Sequence, residues 1–267
     1  MTRIYTLVNQ KGGVGKTTTA ISLGAYLARM KQRVLLVDLD PQANATACLG
    51  IVHSKLIGGT YEALIGRAPA TEFILKNPRL DLSLLPSSPA LAGAQIELVE
   101  FPERESLLRQ ALTVVDGRYD YILIDCPPSL GLLTLNGLLA AKNGAIIPIQ
   151  CEYLALEGLS QLLKTLRHVK TRLFPKLIVR GLLLTMYDQR TNLSRDVMEE
   201  VKRHFPDKVF RTVIPRSVRL AEAPSHGLPI SAYAASSPGA LAYRALALEI
   251  LAGDGVKLPA ISAEFEV

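Results

Sequence analysis

A short apolar run, RIYTLV at residues 3–8, leads straight into NQKGGVGKTTT at residues 9–19. A buried strand, a glycine-rich turn and Gly15-Lys16-Thr17 opening a helix are the parts of a phosphate-binding loop. This stretch restricts the chain to folds in which a loop leaves the carboxyl end of a strand and turns its N–H groups to an anion at a helix N-terminus. Gly12, Gly13 and Gly15 let the backbone approach the anion without a Cβ in the way. Around them, the loop from Gly12 through Val14 to Thr18 is expected to wrap the phosphates. Lys16 should reach the β- and γ-phosphates, the Thr17 hydroxyl should ligate Mg²⁺, and Thr18 should meet the α-phosphate side. The usual spacing G-x-x-x-x-G-K-[ST] is nonetheless broken. Position 10 is Gln10, and a second lysine, Lys11, stands at the far end of the loop.

The rest of the chain supplies a matching scaffold. Apolar runs at 3–8, 33–38, 80–86, 119–125, 144–150 and 177–185 are nearly continuous in Val, Ile and Leu, as strands buried on both faces of a parallel sheet must be. Helical patterns at about 17–30, 103–115, 130–142, 155–172, 193–204 and 238–252 fall between or after them. The alternation predicts an α/β fold with a doubly wound, mostly parallel sheet and helices on both faces. One domain is expected over residues 1–253, with 254–267 as a loosely held tail. Residues 50–79, rich in Gly, Ala and Pro, carry no clear pattern.

Two more motifs end strands at the same predicted edge. VLLVDLDPQAN holds Asp38, Asp40, Gln42 and Asn44, and YILIDCPPSLG ends its strand on Asp125. Asp38 or Asn44 alone could simply cap a following helix. Beside a nucleotide, a carboxylate can instead orient a water or join the metal shell. Asp125 occupies the position of an acid that holds Mg²⁺ directly or through water, and Pro127 and Pro128 stiffen the loop beyond it. The three cysteines, Cys48, Cys126 and Cys151, lie far apart, which argues against a disulfide framework, a zinc site or an iron–sulfur cluster. No run of about 18 apolar residues reads as a membrane span and no signal peptide is seen.

Taken together, KGGVGKTT, VLLVDLDPQAN, YDYILIDCPPSLGLLTLNGL, LTMYDQRTNLS and VIPRSVRLAEAPSHGLPI resemble the ParA/Soj family of DNA-partitioning ATPases. This family lies in the deviant Walker A P-loop group that includes MinD. The resemblance covers roughly residues 3–250. It implies a Mg²⁺-dependent ATPase that forms an ATP-sandwich homodimer, with Lys11 crossing to the partner's phosphates like an arginine finger. It implies that Gly12 must be small where two backbones meet, that Lys11, Lys16 and Asp40 carry catalysis, and that Asp40 positions the hydrolytic water. Thr17 and Asp125 would hold the metal, while Met186, Pro215 and Ser217 would border the adenine. Two positions depart from the family pattern: Ser217, where Asn is frequent, and Ala43, where Gly is frequent. The departure at Ala43 is expected to matter little.

Charge bears on partners. The chain is +6 overall, but residues 160–220 hold 14 Lys/Arg against 5 Asp/Glu, a local +9. A solvated basic face is the ordinary meaning of such a run; a surface for nucleic-acid phosphates is the other. The P-loop strand starts at Arg3, so no helix-turn-helix module precedes it and operator-specific binding is not expected. The resemblance implies ATP-dependent, nonspecific binding to double-stranded DNA through Arg190 and Arg219, with Lys202 and Arg203 as further contacts. It also implies a ParB-type centromere-binding partner, slow partner-stimulated hydrolysis, and a cytoplasmic, nucleoid-associated location. A MinD-like membrane ATPase is the alternative. It would need a basic amphipathic C-terminal helix, whereas GDGVKLPAISAEFEV has one Lys, a Pro and three acids.

Overall fold

The computed structural model describes residues 1–256. Its strands are β1 (Arg3–Leu7), β2 (Val34–Asp38), β3 (Leu75–Asn77), β4 (Leu82–Leu85), β5 (Tyr121–Asp125), β6 (Gly144–Gln150) and β7 (Val179–Thr185). The helices are α1 (Lys16–Arg29), α2 (Asn44–Cys48), α3 (Thr60–Leu64), α4 (Leu91–Glu97), α5 (Leu107–Ala111), α6 (Leu132–Ala140), α7 (Ala155–Arg172), α8 (Asn192–His204), α9 (Val218–Glu222), α10 (Ile230–Tyr233) and α11 (Pro238–Gly253). One seven-stranded sheet runs β3-β4-β2-β5-β1-β6-β7. Every pairing is parallel except β3 with β4. This is the doubly wound arrangement expected from the apolar runs.

Side-chain alternation along the strands fills cores on both faces. Tyr5, Leu7, Val34, Leu36, Tyr121 and Leu123 pack with α1 and α11. Ile4, Leu35, Val37, Ile122 and Ile124 pack on the opposite side with residues of α3, α4, α5 and α6. The β6 and β7 end of that side is closed by Leu159, Leu162 and Leu166 of α7 and Val197 and Val201 of α8.

Three expectations need correction. The helix expected over 103–115 is only α5 followed by a 3₁₀ turn at Leu112–Val115. The unassigned segment 50–79 supplies α3 and the antiparallel edge strand β3. Asp254, placed in a loose tail, is instead tied down. Its carboxylate accepts from Tyr5 Oη at 2.6 Å and Tyr121 Oη at 2.9 Å, and it ion-pairs with Arg3 and Arg180 at 3.5 Å each. Those hydroxyls and guanidinium groups all come from the amino-terminal halves of strands, so Asp254 fastens α11 beneath the sheet. The remainder of the expected tail, 257–267, lies outside the described residues.

Candidate nucleotide site

The phosphate loop runs from the end of β1 into α1 across the carboxyl edge of the sheet. Gly13 and Gly15 take positive φ of 75° and 89°, the left-handed geometry that only glycine adopts without strain. Gly12 needs no such freedom, and a Cβ added there would meet nothing among the described residues closer than Pro128 Cβ at 4.0 Å. Lys16 Nζ arches back over the loop and donates to the Lys11 carbonyl at 3.1 Å. The Val14 carbonyl accepts from Thr185 Oγ1 at 2.9 Å, tying the loop to the end of β7. Thr18, half-buried in the first turn of α1, lines a small cleft with Cys48 and Leu220.

Parallel register sets Asp38 of β2 directly beside Asp125 of β5, and Asp125 in turn beside Leu7, where the loop begins. Thr17 Oγ1 donates to Asp125 Oδ2 at 2.6 Å, while the buried Asp125 Oδ1 has no partner among the described residues. Burial, then the neighbouring Asp38 charge, push the Asp125 carboxyl up to about 8 against the opposing Thr17 bond and Lys16 charge. Burial also lowers the Lys16 ammonium from its ordinary value, with Asp125, Cys126 and Asp40 opposing. A fully enclosed carboxylate with one bare oxygen, next to a hydroxyl at a phosphate loop, is the donor set that suits a hard cation such as Mg²⁺. Among the described residues no cluster of three or more His, Cys, Asp or Glu side chains could hold a metal alone. A cation here would therefore draw on Thr17, Asp125 and oxygens of a ligand.

Asp38 and Asp40 divide their work. Asp38 accepts from Thr46 N at 2.8 Å and Thr46 Oγ1 at 2.7 Å, so it caps α2 from a distance. Its carboxyl is raised to about 6 by burial, against those bonds. Asp40 lies one turn of chain further on. Its Oδ1 accepts from Gln42 N at 2.9 Å, and its carbonyl is held by Ser87 Oγ at 2.7 Å. Between Asp40 and α2, Ala43 adopts φ 52°. A Cβ in that region costs roughly 1 kcal/mol, so the departure from Gly at this position carries a strain that the sequence alone did not suggest.

Residues far apart in sequence complete the edge. Tyr187 and Pro215 form an isolated parallel bridge, with Tyr187 N donating to the Ile214 carbonyl at 3.0 Å and Arg216 N to the Tyr187 carbonyl at 2.9 Å. Met186, at φ 52°, and Pro215 are thereby brought side by side at the end of β7, and Ser217 follows as the residue before α9. Lys11 is ion-paired with Glu152, just beyond β6. Next to Glu152, Tyr153 and Leu154 expose 75% and 60% of their surface, Leu154 at φ 69°. Sequence patterning missed Glu152, Thr185 and Ser87. Glu152 and Thr185 each stand at or just past the end of an apolar run, which is the one signal that pointed to this edge.

The four expected DNA contacts do not form one cluster. Arg190 is exposed but bonded to Asp188 at 2.7 Å, and Arg219 to Glu222 at 2.9 Å. Arg190 precedes α8, whereas Lys202 and Arg203 lie in its last turn, roughly 15–18 Å along the axis. Arg216, not singled out from the sequence, lies close enough to Asp188 for its charge to help hold that carboxyl low.

Residues 2–179 match the family described as an AAA domain. The sequence is 54% identical over 252 residues to the sporulation initiation inhibitor protein Soj of Bacillus subtilis, covering 94% of this chain and 99% of that protein. It is 51% identical over 255 residues to the chromosome-partitioning ATPase Soj of Treponema pallidum, covering 96% and 99%. The chain belongs to the Soj/ParA family of chromosome-partitioning ATPases. Among solved structures, a Mycobacterium smegmatis protein described as cobyrinic acid a,c-diamide synthase, with bound ADP and magnesium, superposes with a TM-score of 0.83. It is 41% identical and covers 98% of this chain and 100% of its own. The Soj/ParA relatives are closer in sequence and are aligned nearly end to end.

Proposed function

We propose that this chain is a Mg²⁺-dependent ATPase that closes into an ATP-sandwich dimer, binds DNA without sequence preference and drives chromosome or plasmid segregation with a ParB-type partner in the cytoplasm, on the nucleoid. The observation that carries the reading is the convergence of Lys16, Thr17, Asp40 and Asp125 on one glycine-rich loop, with Asp125 Oδ1 bare. Lys16 would bind the β- and γ-phosphates, Thr17 and Asp125 would hold Mg²⁺, and Met186, Pro215 and Ser217 would border the base. Bound Mg²⁺ would supply charge neutralisation at the phosphates. Asp40, fixed by Gln42 and Ser87, would orient the attacking water.

Two features support a second copy at this edge. Gly12 is a glycine that its own chain does not require, which fits a close approach from outside. Tyr153 and Leu154 expose apolar surface beside Lys11 and Glu152. Lys11 would exchange Glu152 for the partner's phosphates, and its charge would then serve hydrolysis in trans. Arg190 and Arg219 would meet DNA phosphates, with Lys202 and Arg203 as outer contacts. Hydrolysis would be slow until the ParB-type partner arrives.

Co-sedimentation with double-stranded DNA and, separately, with anionic liposomes, each with ATP, ADP and no nucleotide, tests this. ATP-dependent recovery with DNA alone is expected. ATP-dependent recovery with liposomes instead would favour the MinD-like alternative. Among the described residues, no helix is long and apolar enough to cross a membrane.

A further inference from the structure

The loop that carries Asp40 is held by a closed ring of buried hydrogen bonds. Asp40 N donates to Asp38 Oδ1 at 3.2 Å, and Thr46 Oγ1 donates to Asp38 Oδ2 at 2.7 Å. The same Thr46 hydroxyl accepts from Ser87 N at 2.9 Å. Ser87 Oγ closes the ring by donating to the Asp40 carbonyl at 2.7 Å. Asp38 ends β2, Thr46 lies in α2 and Ser87 follows β4. Three separate stretches of chain therefore meet behind Asp40, and none of these three residues exposes more than 1% of its surface.

A carboxylate that orients a water acts through its position, and a misplacement of about 1 Å at such a group can cost about a hundredfold in rate. The ring takes both the N–H and the carbonyl of Asp40, and Gln42 N takes its Oδ1. Within the ring the Thr46 hydroxyl is the pivot, because it donates and accepts at once. A valine of the same shape would leave the buried Ser87 N–H without its acceptor and Asp38 Oδ2 with only the backbone bond from residue 46. An unpaired buried donor is costly, so the chain at Ser87 would shift, and the carbonyl of Asp40 with it.

We propose, on the reading of Asp40 as the group that orients the attacking water, that Thr46 is a positioning residue for ATP hydrolysis. Its hydroxyl locks Asp38 to Ser87 and so fixes the Asp40 backbone, while ATP binding is left to the phosphate loop. The hydroxyl governs the rate of the chemical step and not the affinity for the nucleotide.

The test measures phosphate release and ATP affinity on full-length variants with Mg²⁺. Thr46→Val should lower kcat by about tenfold or more, with KM and the calorimetric ATP affinity within about twofold of wild type. Thr46→Ser keeps the hydroxyl and should recover most of the rate. Ser87→Ala removes only the donor to the Asp40 carbonyl; it should lower kcat in the same way, and it decides the matter if Thr46→Val does not fold. Thr2→Val is the comparison. Thr2 Oγ1 is also buried, donates to the Tyr119 carbonyl at 2.8 Å and accepts from Gly117 N at 2.8 Å, at the opposite edge of the sheet. Its loss should lower the thermal midpoint as Thr46→Val does and leave kcat unchanged. Wild-type kcat in Thr46→Val or Ser87→Ala, no recovery in Thr46→Ser, a loss of ATP affinity as large as the loss of kcat, or the same kcat loss in Thr2→Val would each overturn the proposal. Asp40→Ala, run alongside, separates the two readings. If it is inactive while Thr46→Val turns over normally, the positioning role alone falls; if it turns over normally itself, the assignment of the water to Asp40 falls and the positioning role with it.

Discussion

The Lys11 ammonium is ion-paired with the Glu152 carboxylate, 141 residues away in sequence, across the mouth of the phosphate loop. Both side chains are partly exposed, so the pair contributes no more than about 1 kcal/mol to the isolated chain. Lys11 is therefore cheap to release. Lys11→Ala should leave the nucleotide-free melting temperature almost unchanged, yet weaken the ATP dimer and slow hydrolysis. Gly12→Val should bind ATP and fail to dimerise, because its own chain has room for the new side chain and a second copy would not. Light scattering with and without ATP checks both; a normal ATP dimer from Gly12→Val would remove the sandwich arrangement.

Lys16 is the cation closest to the loop interior, buried among Asp125, Cys126 and Asp40. Lys16→Ala should abolish tight ATP binding in calorimetry with Mg²⁺. Retained affinity would show that the loop does not bind phosphates.

Asp40→Ala should bind ATP, dimerise and stay on DNA without releasing phosphate. The Gln42 turn depends on the same carboxylate, so Asp40→Asn, which keeps that acceptor, is the companion variant. It should be equally inactive in phosphate release while matching the wild-type circular dichroism spectrum. Wild-type turnover in either would assign the water to another group.

In its proposed role as a metal ligand, Asp125 would set function against stability. A fully buried carboxylate with one oxygen unbonded is costly to keep charged, and an amide can still accept from Thr17. Asp125→Asn should raise the thermal midpoint of the nucleotide-free protein, by up to a few kcal/mol of stability. The same change should eliminate the Mg²⁺ dependence of ATP affinity. Thermal scans with EDTA, and calorimetry with and without Mg²⁺, measure the two halves.

Arg190 and Arg219 each meet a carboxylate of their own chain, which DNA phosphates would have to displace on the proposed reading. Arg190→Glu or Arg219→Glu should weaken binding to any sequence alike and lower the slope of log affinity against log salt by about one per contact. Asp188→Asn and Glu222→Gln should act in the opposite direction, strengthening DNA binding a few-fold. The ATP dimer has to be measured first, since Met186, Pro215 and Ser217 are close in sequence. A normal dimer with wild-type affinity and salt slope would rule these arginines out.

The sheet was readable in advance because its strands are buried on both faces and hence apolar without interruption; all six expected strands are present. β3 escaped because it is three residues long, lies on the edge and exposes Leu75 and Lys76. The phosphate loop and the aspartates at strand ends were legible as local patterns. Their supports were not, since Thr46 and Ser87 reach Asp38 and Asp40 across 8 and 47 residues through hydroxyls that carry no spacing signal. The strain at Ala43 was invisible for a similar reason: a backbone angle leaves no mark on composition. The pairing of Arg190 and Arg219 with carboxylates was in the sequence at spacings of two and three, but charge counting averages over such neighbours.

The clasp of Arg3 and Tyr5 on Asp254 brings the two ends of the described chain into contact at the amino-terminal edge of the sheet. The strands separate that edge from the phosphate loop by their own length, roughly 17 Å. A fluorescent reporter or affinity handle joined next to this clasp would ride on the side of the molecule facing away from the nucleotide. A short peptide joining the first residue to Val256, in place of residues 257–267, would turn the chain into a circle that could be reopened elsewhere, a permutation in which the order of the strands along the gene changes while the sheet they build does not.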